Sequence, residues 1–103
     1  MAKYLFVFHG AKQPDEADVK KTMDAWGAWF GSMGAAVIDG GNPVGKSSTV
    51  HSSGKVTNDG GTNPVSGYSL IEAASLNDAL AHAKRCPVLA AGGSIEVAEA
   101  LDM

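Results

Sequence analysis

The run Tyr4-Leu-Phe-Val-Phe-His9, closed by Gly10, constrains this chain more than any other segment. Aromatic and β-branched residues in an unbroken run read as a strand. Alternation then places Tyr4, Phe6 and Phe8 on one face and Leu5, Val7 and His9 on the other. Both faces are largely apolar, so each needs a cover. Helices of the same chain can supply one, and the other calls for a second copy.

Pro14 to Met33 is the clearest helix. Asp15, Glu16 and Asp18 lie in its first turn, where the helix dipole favours carboxylates. Val19, Met23, Trp26, Phe30 and Met33 repeat at spacings of four and three as one apolar stripe, and Gly34 supplies a stop. Gly27 and Gly31, one turn apart, mark either a close backbone approach or a ligand. Ala35 to Asp39 reads as a second strand. The stretch from Gly40 to Gly67 is rich in Gly, Ser and Asn, with a small hairpin expected from 48–51 and 55–57 around Ser52-Ser53-Gly54.

Gly67 to Ala73 is a third main strand. Ser75-Leu-Asn-Asp78 opens a second helix in the manner of a capping box; Leu76, Leu80 and Ala83 form its buried face, and Pro87 ends it. Ser94 to Glu99, alternating with period two, is the last strand. The order β-α-β-(hairpin)-β-α-β in 103 residues predicts one α+β domain over 1–103. Its expected form is a ferredoxin-like βαββαβ fold with an antiparallel sheet and an inserted hairpin.

Composition removes several function classes. Eight Lys and Arg against 11 Asp and Glu give a net charge of −3, and the cations are scattered, so no basic patch points to nucleic acid. The third strand, with one aromatic and an acid, lacks the stacking pattern of RNA-recognition modules. The single Cys86 cannot form an intramolecular disulfide, and no Cys/His ligand spacing points to a metal or any other cofactor. The N-terminal apolar run of Leu5 to Phe8 and its neighbours is too short for a signal-peptide core or a membrane span, which makes the cytoplasm the expected location.

Gly40-Gly-Asn-Pro-Val-Gly-Lys46-Ser47 matches G-x-x-x-x-G-K-[ST] at every fixed position. A phosphate-binding loop must also open a helix whose amides hold the anion. Ser48-Thr-Val-His-Ser-Ser-Gly54 is β-branched and ends in Gly, which argues against that helix. The segment reads instead as a loop rimming a pocket, with Asn42 and Lys46 as its polar contacts.

Gly67-Tyr-Ser-Leu-Ile-Glu-Ala-Ala-Ser-Leu-Asn-Asp-Ala-Leu-Ala-His-Ala-Lys-Arg-Cys-Pro87, followed by Gly92-Gly-Ser-Ile-Glu-Val97, resembles the second half of the YCII-related family, which includes the DGPF-type proteins. Val56-Thr-Asn-Asp-Gly60 is similar to that family's VTDGPF segment, with Gly61 in place of its Pro. Tyr4 to Gly10 and Trp26 to Gly41 match the first half more loosely. The resemblance implies a dimeric α+β barrel, in which two sheets pack face to face, and no settled activity. It departs at the two residues associated with catalysis in the family. No His occurs between Pro14 and Gly34, and Cys86 stands where an Asp precedes the Pro.

The candidate catalytic residues are His9, Asp39 and Asp59. His9, at the end of the first strand, is either an acid–base imidazole or a strand-end histidine bonded to a loop. Asp39 and Asp59 each precede a Gly pair and are either site carboxylates or turn caps. Trp29, Asn42, Lys46 and Tyr68 are the candidate ligand-binding residues. Trp29, at the edge of the helix stripe, either walls a pocket or packs in the core, and Trp26, on the stripe itself, is read as core. Cys86, at a helix C-terminus, is expected to be inert. The expected function is a homodimer with a small-molecule pocket, performing acid–base chemistry on a metabolite or binding it without chemistry.

Overall fold

The computed structural model describes residues 1–10 and 14–102. Its elements are β1 (Ala2–His9), α1 (Val19–Met33), β2 (Val37–Asp39), β3 (Thr49–Val50), β4 (Val56–Thr57), β5 (Val65–Ala73), α2 (Leu76–Ala83), α3 (Pro87–Ala90) and β6 (Ser94–Ala100). Single 3-10 turns at Glu16–Asp18 and Gly34–Ala36 flank α1. The main sheet is antiparallel with strand order β2-β5-β1-β6, and β3 and β4 form a separate hairpin.

β1 behaves as its alternation requires. Tyr4, Phe6 and Phe8 are buried with Trp29, Met33, Ile71, Ala79, Ala83 and Val88 in one cluster, so all three helices lie on one face of the sheet. Phe6 stacks on Trp29 with ring centroids 6.3 Å apart, and the Trp29 indole Nε1 donates to the carbonyl of His82 at 2.9 Å. On the opposite face, register places Leu5 between Leu70 and Ala98, and Val7 between Tyr68 and Glu96. Leu5 and Ile38 are 37% and 42% exposed. Among the described residues, no element covers this side.

The stripe of α1 differs from the one expected. Val19 and Met23 are 40% and 68% exposed, and the packed residues are Trp26, Trp29, Phe30 and Met33. The apolar positions at 26, 29, 30 and 33 follow the i, i+3, i+4, i+7 rule, and the two bulky indoles carry the contact. Gly27 and Gly31 lie on the solvent side, where an added Cβ would meet nothing within 4 Å. In α2 the short side chains Ala79 and Ala83 are buried and Leu76 is exposed, because the helix sits close to the sheet. Its Ser75 cap forms as expected, with Oγ accepting from the Asp78 amide at 3.2 Å. β2 is shorter than expected, since Gly34–Ala36 turns before the chain extends.

Beyond β2 the chain stays against β5. The Val44 amide donates to the Ser66 carbonyl and the Tyr68 amide to the Asn42 carbonyl. Gly41, at φ +71°, crosses the Tyr68 carbonyl so closely that a Cβ would lie 1.7 Å from its oxygen. Ser69, fully buried, satisfies its hydroxyl on the Gly40 carbonyl at 2.7 Å.

Cys86 sits at the junction of two helices rather than only at the end of one, as the residue before Pro87 at the start of α3. Burial pushes its thiol up from 9.0 to about 11, against a smaller lowering by a hydrogen bond from the Val88 backbone.

Two predictions follow from these local environments. Gly27→Ala and Gly31→Ala each raise stability by about 1 kcal/mol, whereas Gly41→Ala lowers it by about 2 kcal/mol or more; urea denaturation reads all three. The folded thiol of Cys86 keeps its proton where the unfolded one loses it, so its contribution is complete below pH 9 and is lost as pH rises through about 11. Wild type therefore loses more stability than Cys86→Ala between those pH values, measured as the difference between their denaturation midpoints.

Candidate functional site

β1 ends between two different environments, because Phe8 and Gly10 border a groove on the helix side while His9 turns to the other face. The groove has a volume of about 880 Å³. Phe8, Trp26 and Phe30 line it, with Trp26 edge-on to Phe8 at 5.2 Å. Asn42 and Tyr68 line it from the strand edge, and the Asn42 Nδ2 donates a long hydrogen bond of 3.4 Å to the Tyr68 hydroxyl. Asp18 and Lys21 stand at the α1 end. The backbone of 40–43 forms one wall because Gly41 and Gly67 allow it to lie against β5; a Cβ on Gly67 would sit 3.2 Å from the Asn42 carbonyl.

His9 occupies the open face at the same end of the sheet. Its Nδ1 donates to the Asn63 carbonyl at 2.9 Å and lies 3.3 Å from the Pro64 carbonyl, and its Nε2 is 3.0 Å from Glu96 Oε1. The side chain of His9 is 12% exposed and that of Glu96 is 70% exposed. Register explains the meeting. Glu96 lies opposite Val7, one pleat from His9 on the same face. The imidazole is thus held by a loop from one side and by a carboxylate from the other, an arrangement able to pass a proton between ring and carboxylate.

The expected carboxylate partners are elsewhere. Asp39 Oδ1 accepts from the Gly41 amide at 2.8 Å, and Asp59 Oδ1 from the Gly61 amide at 3.3 Å. Both are Asx turns, the structural role their Gly pairs favour, and neither contacts His9. Glu96 takes the position instead. Its signal was present in the alternation of Ser94 to Glu99, which shares a face with His9 only once the β1–β6 register is known. Trp29 takes core packing and not the pocket wall, 4% exposed and bonded in the core, and Trp26 borders the groove instead. Lys46 lines a separate depression of about 260 Å³ with Asp59 and Pro64, apart from Asn42. After Lys46 the chain enters the β3–β4 hairpin, so the glycine-rich segment opens no helix to hold a phosphate.

His51 and His82 serve local structure. His51 Nε2 is 3.1 Å from Thr57 Oγ1 across the hairpin, and His82 Nδ1 accepts from Arg85 at 2.7 Å. Among the described residues, no group of three His, Cys, Asp or Glu could hold a metal ion. No described helix is long and apolar enough to cross a membrane. The sequence matches no known family model and no curated protein.

Proposed function

We propose that this chain is a YCII-related protein of ferredoxin-like topology, that two copies pair through their open sheet faces into an α+β barrel, and that the groove beneath α1 binds a small, largely apolar metabolite. The groove is the observation that carries the binding role. Its volume falls in the range of roughly 300–1,000 Å³ typical of small-molecule sites, and aromatic rings with a few polar groups suit an apolar body with a polar end.

Pairing is supported by the shape of one copy. The domain measures 44 × 42 × 18 Å with a radius of gyration of 14.8 Å, against about 13 Å for a rounded chain of this length. Its accessible surface is 6923 Å², whereas a monomer of this mass exposes about 5,400 Å². A standard interface removes roughly 800 Å² from each partner. The sheet face bearing Leu5, Val7, Ile38 and Leu70 is the flat apolar area available for it.

A second reading, acid–base chemistry, is favoured by the His9–Glu96 pair. In a paired molecule the opposing sheet would dry this end of the open face, and the pair would exchange a proton with a substrate there. Asp39 and Asp59 have no part in this version.

Analytical ultracentrifugation at micromolar protein is expected to give a dimer that Leu70→Lys splits; a monomeric wild type removes the pairing. Thermal-shift screening against a metabolite panel is expected to find a ligand whose stabilisation is lost in Trp26→Leu and Asn42→Ala. Recovery of that ligand unchanged after long incubation marks a binder. Turnover that disappears in His9→Ala, with the fold retained, marks an enzyme.

A further inference from the structure

A two-stranded hairpin without a packing partner is marginal in water, and among the described residues nothing covers the valines of the β3–β4 hairpin. Its strands are two residues each. Val50 and Val56 face one another across it, 71% and 57% exposed. The hairpin is nonetheless closed by bonds of its own, with the His51 amide donating to the Lys55 carbonyl at 2.8 Å. The Thr49 hydroxyl donates to the Asp59 carbonyl at its base.

That base is fixed to the open-face side of the sheet. Gly60 packs so tightly that a Cβ would lie 2.6 Å from Pro64 Cβ and 3.0 Å from Ser47 Cβ. Pro64 and Asn63 in turn offer their carbonyls to His9, which faces away from the helices. Charge supplies the remaining clue. From Lys46 to Asn58 the chain carries Lys46 and Lys55 and no acid, in a protein of net charge −3. Along Ser94 to Asp102, which includes the outer strand β6, it carries Glu96, Glu99 and Asp102 and no cation.

We infer that the hairpin is an arm that closes the dimer, laying Val50 and Val56 against β6 of a second copy with Lys55 directed to Glu96, the carboxylate that strand carries on its open face. This rests on the pairing proposed above and names the segment that completes it. His9 then acts as the clasp that aims the arm. Burial of the two valines and opposite charge across the contact bind it together, the charge setting register and partner choice.

Sedimentation of Val50→Ser/Val56→Ser, Lys55→Glu and Lys55→Glu/Glu96→Lys tests the arm. The first two are expected to raise the dimer dissociation constant about tenfold or more with unchanged far-UV circular dichroism, and the charge exchange to recover most of the Lys55→Glu loss. Hydrogen exchange gives a check that needs no substitution: protection at the His51 amide should rise with protein concentration in step with dimerisation. A wild-type dimer whose dissociation constant the double serine variant leaves unchanged overturns the arm and leaves the pairing intact, as does His51 protection that is independent of concentration. A wild-type monomer overturns both.

Discussion

Trp29 joins the parts of this fold that would otherwise be only neighbours. Its ring stacks on Phe6 in the middle of β1, its backbone belongs to α1, and its indole proton reaches the last turn of α2. An indole removes a large apolar area from water and requires a partner for its N–H when buried. The His82 carbonyl at the helix end meets that requirement, accepting from the indole as well as from the Arg85 amide at 3.2 Å. One side chain therefore sets the height of α1 above the sheet and the lateral position of α2. The small residues of α2 follow from it: with an indole already filling the layer, Ala79 and Ala83 are what the remaining space admits.

The groove is a consequence of the same packing. Trp29 and Met33 seat the C-terminal half of α1 on the sheet, while Val19 and Met23 stay exposed, so the N-terminal half leaves room beneath it. Trp26 stands at the transition, touching Phe8 and Phe30 and bordering the opening. The groove and the incomplete amphipathicity of α1 are one feature.

Sequence periodicity revealed the element order apart from the short α3 that Pro87 opens, the Ser75 cap, the hairpin and the two-sided character of β1, because each depends on residues close together in the chain. It left open which indole borders the groove, because residues 26, 29 and 30 are all within an angular range that a stripe tolerates, and only the height of the sheet decides which of them is sandwiched. The carboxylate beside His9 was hidden for a different reason. Glu96 is 87 residues away, and its meeting with His9 is set by the β1–β6 register. Asp39 and Asp59 drew attention through their neighbouring glycines, yet those glycines serve the Asx turns that occupy the carboxylates. A local signal for a turn and a local signal for a site are the same signal when glycine carries both.

The alternation of β1 divides the chemistry of the molecule as well as its packing. Phe8 and His9 are adjacent, but a strand sends adjacent side chains to opposite faces, so an apolar groove and the His9–Glu96 pair lie back to back at one end of the sheet. A ligand in the groove cannot touch the imidazole without passing around the strand end at Gly10. The two faces meet at the Asn42–Tyr68 side-chain bond and through backbone: the 40–43 segment lines the groove and lies on β5, and the bulge of β5 opposite Phe8 and His9 leads to Pro64 and Asn63, which hold the imidazole. Any ligand that shifts Asn42 presses on Tyr68 and Gly67 first, because their backbones are in direct contact.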